Sequence, residues 1–234
     1  MLDRGDVQLD DKTLREIYLP PYQTAIAADV KTIMASFNSI RGEKCHGSKY
    51  ILTDLLKDEL GFKGFVISDW AGIDEIPGTY KSDVINGVNA GIDMVMVPGV
   101  MEGQKQKHYK LFIQYLIEAV NGGSVSIDRI NDAVRRILKV KMELGLFEDP
   151  YMEDTSLDKI GSIEHRALAR EAVQKSTVLL TNNNILPIAK NASITVVGSG
   201  ANNLGVQNEG WTTEWQGFFT PDFGKKHGCP TPDS

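Results

Sequence analysis

Apolar positions in the first 145 residues fall into two alternating patterns, short unbroken runs and helical stripes. Residues 31–36 (Lys-Thr-Ile-Met-Ala-Ser), 64–68 (Gly-Phe-Val-Ile-Ser) and 92–97 (Ile-Asp-Met-Val-Met-Val) read as buried strands. Between them, residues 48–60 place Ile51, Leu52, Leu55 and Leu56 on one helical face, with Ser48 at the N-cap and Gly61 as the stop. A second helix is expected over 81–90. Two longer ones follow at 108–120, closed by Asn121-Gly122-Gly123, and at 127–144, with Gly145 just past the end.

Strands alternating with amphipathic helices predict parallel β-structure with helical crossovers. Three such units fall short of the eight strands and roughly 250 residues of a closed barrel. The choice is a small open sheet or a barrel whose first half lies outside this chain. Residues 148–162, with Glu148-Asp149-Pro150, read as a linker. A helix at 163–175, with Glu164 in its first turn, and strands at 176–180 and 193–198 would begin a second α/β domain. Residues 218–234 have no period and read as an irregular tail.

Composition narrows the function classes. The 234 residues carry a formal net charge of −6, which disfavours nucleic acid and anionic membrane surfaces as partners. The apolar runs, such as Gly64–Ile67, are far shorter than the roughly 20 residues of a membrane-spanning helix. The first residues are polar and do not read as a signal peptide, which leaves the compartment open. Two distant cysteines, Cys45 and Cys229, give no disulfide framework, and four scattered histidines give no zinc spacing. Cys45-His46 is better read as a loop dipeptide than as half a metal site. No metal or organic cofactor is expected. Gly198-Ser-Gly-Ala-Asn-Asn203 fails the dinucleotide fingerprint at its third glycine.

Two stretches carry candidate chemistry. In Gly64-Phe65-Val66-Ile67-Ser68-Asp69-Trp70 a strand ends in a carboxylate and an indole. A carboxylate at the end of a barrel strand can attack an anomeric carbon, and a tryptophan beside it can pack on a sugar ring. The competing reading makes Asp69 the cap of a following helix and Trp70 a core residue. In Gly210-Trp211-Thr212-Thr213-Glu214-Trp215-Gln216-Gly217, the two tryptophans form either a sugar platform or a pair of core aromatics.

Both stretches resemble glycoside hydrolase family 3, and the resemblance runs from about Asp3 to Gly217. It includes Tyr18-Leu-Pro-Pro-Tyr22, Met34-Ala-Ser-Phe-Asn-Ser39, Cys45-His46-Gly47, Gly61 to Trp70, Gly91 to Pro98, Ala133 to Leu138 and Ala169-Arg-Glu-Ala172. The tryptophan loop is most similar to the β-glucosidase and β-glucan exohydrolase branch.

The resemblance implies an α/β fold: the C-terminal half of a (β/α)8-like TIM barrel over 1–147, the linker 148–162, and the start of an α/β sandwich domain over 163–217. It implies a retaining hydrolase of terminal β-D-glucosyl residues, acting on a β-glucoside or oligosaccharide. Asp69 matches the nucleophile. Trp70 and Trp215 match the aromatic walls that clamp the sugar, Met34 and Phe37 match pocket positions, and Trp211 lies in the matching loop. The family's Lys-His pair falls upstream of Met1 and its acid/base glutamate beyond Gly217, so the chain is expected to be a fragment, inactive alone. Glu75 stands where plant members have a sugar-contacting arginine, Ile40-Arg41 where relatives often have Trp-Asn, and Glu209 where a glycine is usual. A β-xylosidase or β-N-acetylglucosaminidase of the same family is the alternative.

Overall fold

A computed structural model describes residues 4–98, 109–151, 154–208 and 210–211. The chain divides into two compact units, residues 1–155 and 156–234.

The first unit is α/β. Its N-terminal segment carries β1 (Asp6–Val7), a single helical turn α1 (Asp11–Thr13) capped by the Asp10 carboxylate, and α2 (Pro20–Ala27), which begins on two prolines where the missing N–H groups cost nothing. β2 (Thr32–Met34) follows, then a hairpin of β3 (Ser39–Ile40) and β4 (Glu43–Lys44). Arg41 and Gly42 turn that hairpin with φ of +53° and +82°, the left-handed pair that suits the twist of a two-residue loop. β1 pairs in parallel with β3, placing the N-terminal segment beside the hairpin.

A wide helix, Tyr50–Glu59, leads from this hairpin to β5 (Phe65–Ile67). Its hydrogen bonds reach back five residues, as from Leu60 N–H to the Leu55 carbonyl at 2.9 Å. Leu52, Leu55 and Leu56 are buried along it, as the apolar stripe predicts. The Ser48 hydroxyl accepts from Ile51 N–H at 3.5 Å and its carbonyl from Leu52 N–H at 3.0 Å, as expected of a cap, while the hydroxyl donates to Glu43 at 2.7 Å and ties the helix start to the hairpin. β2 and β5 pair in parallel, with Thr32, Ile33 and Met34 opposite Phe65, Val66 and Ile67. α3 (Tyr80–Ala90) is closed at its start by a reciprocal Thr79–Ser82 capping box. It returns the chain to residues 92–97 on the far side of β5.

The third strand, expected over 92–97, is reduced to a single bridge between Ile67 and Met94. Backbone bonds join Met94 N–H to the Val66 carbonyl and Ser68 N–H to the Met94 carbonyl. On either side of these, side chains take the ladder's places. The Asp93 carboxylate accepts from Val66 N–H at 2.8 Å, and the Ser68 hydroxyl accepts from Met96 N–H at 2.8 Å. Three consecutive segments thus lie side by side in chain order, each reached through a helix.

α4 (Tyr109–Asn121) and α5 (Ile127–Glu143) complete the unit. His108, expected in the first of these helices, lies outside the described residues. Past α5, Leu146 N–H bonds to the Lys141 carbonyl and Gly145 N–H to that of Met142, with Gly145 at φ +68°. That is the closing motif the glycine predicts. The core gathers Leu52, Phe62, Val66, Ile73, Val84 and Ile92 between helices and strands.

One buried charge cluster fastens these pieces at the N-terminal end of the strands. The Asp93 side chain is fully enclosed and accepts from Lys57 at 2.8 Å, from Arg129 of α5 and from Val66 N–H. Lys57 also donates to the Gly91 carbonyl at 2.6 Å, and Arg136 donates to the carbonyls of Phe62 and Gly64 at 2.9 and 2.8 Å. Burial pulls the Lys57 ammonium down to about 8, against the opposing pull of Asp93.

The second unit holds α6 (Ile163–Ser176), capped by Ser162, and the short α7 (Leu204–Asn208). The strands expected at 176–180 and 193–198 do not form: neither stretch pairs with a neighbour among the described residues. Leu180 is 90 % exposed and Val197 81 %. An apolar run becomes a strand only when another strand takes its backbone bonds, and none among the described residues does here. The tail 218–234 lies outside the described residues.

Removing Asp93 would leave Lys57 and Arg129 sharing only the partly exposed Asp132, which lies 4.0 Å from Lys57. Asp93→Ala is expected to destabilise the fold by roughly 3–5 kcal/mol, measured as a shift in the urea midpoint. A shift under about 1 kcal/mol would mean that the cluster acts as a surface ion pair does.

Candidate active site

The C-terminal ends of β2 and β5 lie side by side, because Met34 is paired with Ile67. Phe37 stands three residues beyond Met34, and Asp69 and Trp70 two and three beyond Ile67. Three of the positions singled out in the sequence, Phe37, Asp69 and Trp70, thus come together at one end of the sheet.

Asp69 is half-buried and Trp70 is 53 % exposed. The Asp69 carboxylate accepts one hydrogen bond, from Trp70 N–H at 2.6 Å, and makes no ion pair among the described residues. It caps no helix. The short 3-10 turn that follows, Gly72–Glu75, takes its first bond from the Asp69 backbone carbonyl, at 2.9 Å from Gly72 N. The cap-and-core alternative is therefore not what the chain does. Ala71 holds φ +54° in the left-handed region, unusual for a residue with a side chain, and turns the backbone sharply after Trp70.

Behind Asp69 sits His46, only 1 % exposed. It occupies the 3-10 turn Cys45–Gly47 after β4. Its Nε2 accepts the Asp69 N–H at 3.0 Å, and its ring lies 5.7 Å from that of Phe37. A Cβ on Gly72 would stand 2.1 Å from the same Nε2, so the ring occupies room that only glycine leaves. Burial holds the imidazole below its usual range, though Asp69 and Glu75 favour its charged form. Reading Cys45-His46 as a loop dipeptide missed this residue. Its only sequence signal was its place in the Cys45-His46-Gly47 motif.

Glu75 forms the outer part of the site. It pairs with Lys44 at 3.0 Å and with Arg4, whose guanidinium lies 4.4 Å over the Phe37 ring. Lys44 also donates to the Phe37 carbonyl at 3.1 Å. These two cations hold the Glu75 carboxyl below its usual range against the opposing effect of burial.

The remaining positions fare differently. Met34 is 49 % exposed, and it borders an apolar cavity of about 330 Å³ shared with Leu14, Tyr18, Leu19 and Tyr22, whose lining does not include Asp69. Trp211 is 86 % exposed in the second unit, so it is no core aromatic. Trp215 lies outside the described residues.

Comparison with known proteins places this geometry in context. The family model described as the glycosyl hydrolase family 3 N terminal domain matches residues 2–140. A lysosomal beta glucosidase of Dictyostelium discoideum is 33 % identical over 93 % of this chain and 27 % of its own length. A beta-xylosidase of Formosa agariphila is 33 % identical over 86 % of this chain and 29 % of its own. Among solved structures, the exo-1,3/1,4-beta-glucanase ExoP of a Pseudoalteromonas species superposes with a TM-score of 0.79 at 42 % identity, covering 92 % of this chain and 26 % of that one. A beta-glucosidase of Listeria innocua in complex with glucose gives 0.66 at 33 % identity, over 79 % and 25 %. The chain spans about a quarter of the length of the relatives it matches.

Close packing at Gly72 is open to a direct check. Gly72→Ala is expected to cost about 1–3 kcal/mol as its methyl displaces the His46 ring, read from the urea midpoint. An unchanged midpoint would contradict the contact.

Proposed function

The chain belongs to glycosyl hydrolase family 3, and from that premise we propose that the protein hydrolyses terminal β-D-glucosyl residues of β-glucosides or β-glucans with retention, Asp69 being the nucleophile. One observation carries the assignment: Asp69 stands two residues past β5, half-buried, with no cation neutralising it among the described residues and only one hydrogen bond to its carboxylate. A nucleophile needs this condition, a carboxylate oxygen with a lone pair to spare. Asp93, the other carboxylate of the same sheet, is saturated with partners and could not serve.

The reaction proceeds in two displacements. Asp69 attacks the anomeric carbon as the bond to the leaving oxygen breaks, and a second carboxyl protonates that oxygen. The resulting glycosyl ester is then opened by water, which gives its proton back to the second carboxyl. Retention requires the two carboxyls about 5–5.5 Å apart. We assign the acid/base role to no residue of this chain; the family pattern puts it downstream of Gly217.

Trp70, half-exposed beside Asp69, offers a flat apolar face for the sugar, with Phe37 at the pocket edge. On this reading residues 1–147 form half of an eight-stranded barrel and 163–217 open a sandwich domain. The sequential parallel order of β2, β5 and residues 92–97 supports the barrel half.

Similarity to a beta-xylosidase keeps a pentose substrate in view. Nitrophenyl β-glucoside and β-xyloside, compared by kcat/KM, separate the two. Asp69→Gly is expected to lower kcat by roughly 10⁴-fold. Azide, small enough to enter the vacated space, should then restore turnover of an aryl glucoside and yield the α-glucosyl azide. A variant with undiminished activity, or rescue giving the β-azide, would reject Asp69 as nucleophile.

A further inference from the structure

We propose that His46 is a positioning residue for Asp69, its neutral imidazole accepting the Asp69 N–H through Nε2 and so fixing the direction in which the carboxylate leaves β5. The inference rests on the function proposed for Asp69, and it begins with the backbone bonds of the sheet.

Phe65 N–H bonds to the Lys31 carbonyl, and the Ile67 carbonyl accepts from Ala35 N–H, so odd-numbered residues of β5 face β2. Asp69 N–H is the next donor on that side. β2 ends at Met34, and no backbone carbonyl there takes the Asp69 amide. A half-buried N–H with no acceptor is costly, and a loose one would let the nucleophile swing. The imidazole fills the gap at 3.0 Å.

Its own placement is over-determined. The Arg41-Gly42 hairpin delivers it, the bare Gly72 backbone gives it room, and the Phe37 ring backs it. A glutamine or serine could accept the same bond, but neither would fill this space with a rigid plane.

Only one protonation state serves. Nε2 must present its lone pair, which leaves the single proton of the neutral ring on Nδ1. That atom is buried and has no hydrogen-bond partner among the described residues. A protonated ring would aim an N–H at the Asp69 N–H. The groups facing the ring are Asp69 and Glu75 from beyond β5, which favour protonation, and Lys44 from its own hairpin, which opposes it; the Ser36 carbonyl of the segment after β2 also favours it. Beyond Phe37, Arg4 is held on Glu75. Burial is the largest influence and keeps the ring neutral.

The sign of the pH effect follows. The unfolded chain takes up a proton on His46 near pH 6.5, whereas the folded one refuses it until lower pH. Stability and alignment are intact above about 6.5 and are lost as the pH falls through the folded-state value.

The test uses the full-length protein and three measurements. ¹⁵N shifts of histidine-labelled protein, assigned by the signal lost in His46→Gln, are expected to show Nδ1 protonated and Nε2 bare at pH 7. His46→Phe, which keeps a ring but offers no acceptor, should lower kcat by roughly 10²-fold with KM little changed. His46→Gln, which keeps an acceptor and does not titrate, should recover part of that loss and carry the acid limb of kcat to lower pH. Circular dichroism checks that each variant folds. If His46→Phe fails to fold, the shifts and the glutamine variant still decide.

A protonated Nε2 overturns the proposal, as does a wild-type kcat in folded His46→Phe or an acid limb that His46→Gln leaves unmoved. If the protein turns over no glycoside while Nε2 is bare, the hydrolase reading fails and the Asp69–His46 bond stands.

Discussion

The enclosed carboxylate of Asp93 is the constraint on which the rest of the first unit depends. It gathers a lysine from the helix before β5, an arginine from α5 and a backbone N–H from β5 itself. An anion with no exposure cannot exchange any of these for water, so each partner must come to a fixed place. The cost of burying Lys57 shows in the depression of its pKa to about 8. An apolar cluster of equal volume could match the stability. It would not specify which residue of 92–97 meets which residue of β5, because apolar contacts are not directional.

That register determines what happens at the opposite end of the same strands. With Val66 held by Asp93, Met94 bridges Ile67, and Ser68 reaches Met96. Asp69 must then emerge at the strand's end, next to the Cys45–Gly47 turn. On the proposed function the two carboxylates would divide the work as barrel enzymes divide it, with stability at the N-terminal face and chemistry at the C-terminal face. Asp93 has every partner it needs, while Asp69 has a single bond to its own neighbour's N–H. The strained φ of Ala71 and the room left by Gly72 lie within three residues of it, where strain tends to gather.

The sequence disclosed what local pattern controls. Helices at Tyr80–Ala90 and Ile127–Glu143, and strands at Thr32–Met34 and Phe65–Ile67, fall where apolar spacing and stop residues put them. Residues 92–97 look like a full strand because the run is apolar, yet Asp93 and Ser68 replace backbone partners with side chains. At 176–180 and 193–198 the same kind of run finds no partner at all among the described residues. Pattern reports a segment's appetite for burial, not whether a neighbour exists to meet it. The Lys57–Asp93 pair escaped notice because its members are 36 residues apart and each looks like a surface charge. His46 escaped notice because a lone histidine in a polar loop gives no sign of being buried. Asp69 stood out through the resemblance carried by Gly61 to Trp70, while spacing alone slightly favoured a helix cap.

The most direct measurement is covalent trapping. The full-length protein is incubated with a 2-deoxy-2-fluoro-β-glucoside bearing a good leaving group, which slows opening of the glycosyl ester more than its formation. The inactivated protein is then digested and its peptides weighed. A fluoroglucosyl adduct on the peptide containing Asp69, localised to that residue by fragmentation, is the predicted result. An adduct on any other residue, or inactivation without an adduct, would contradict it.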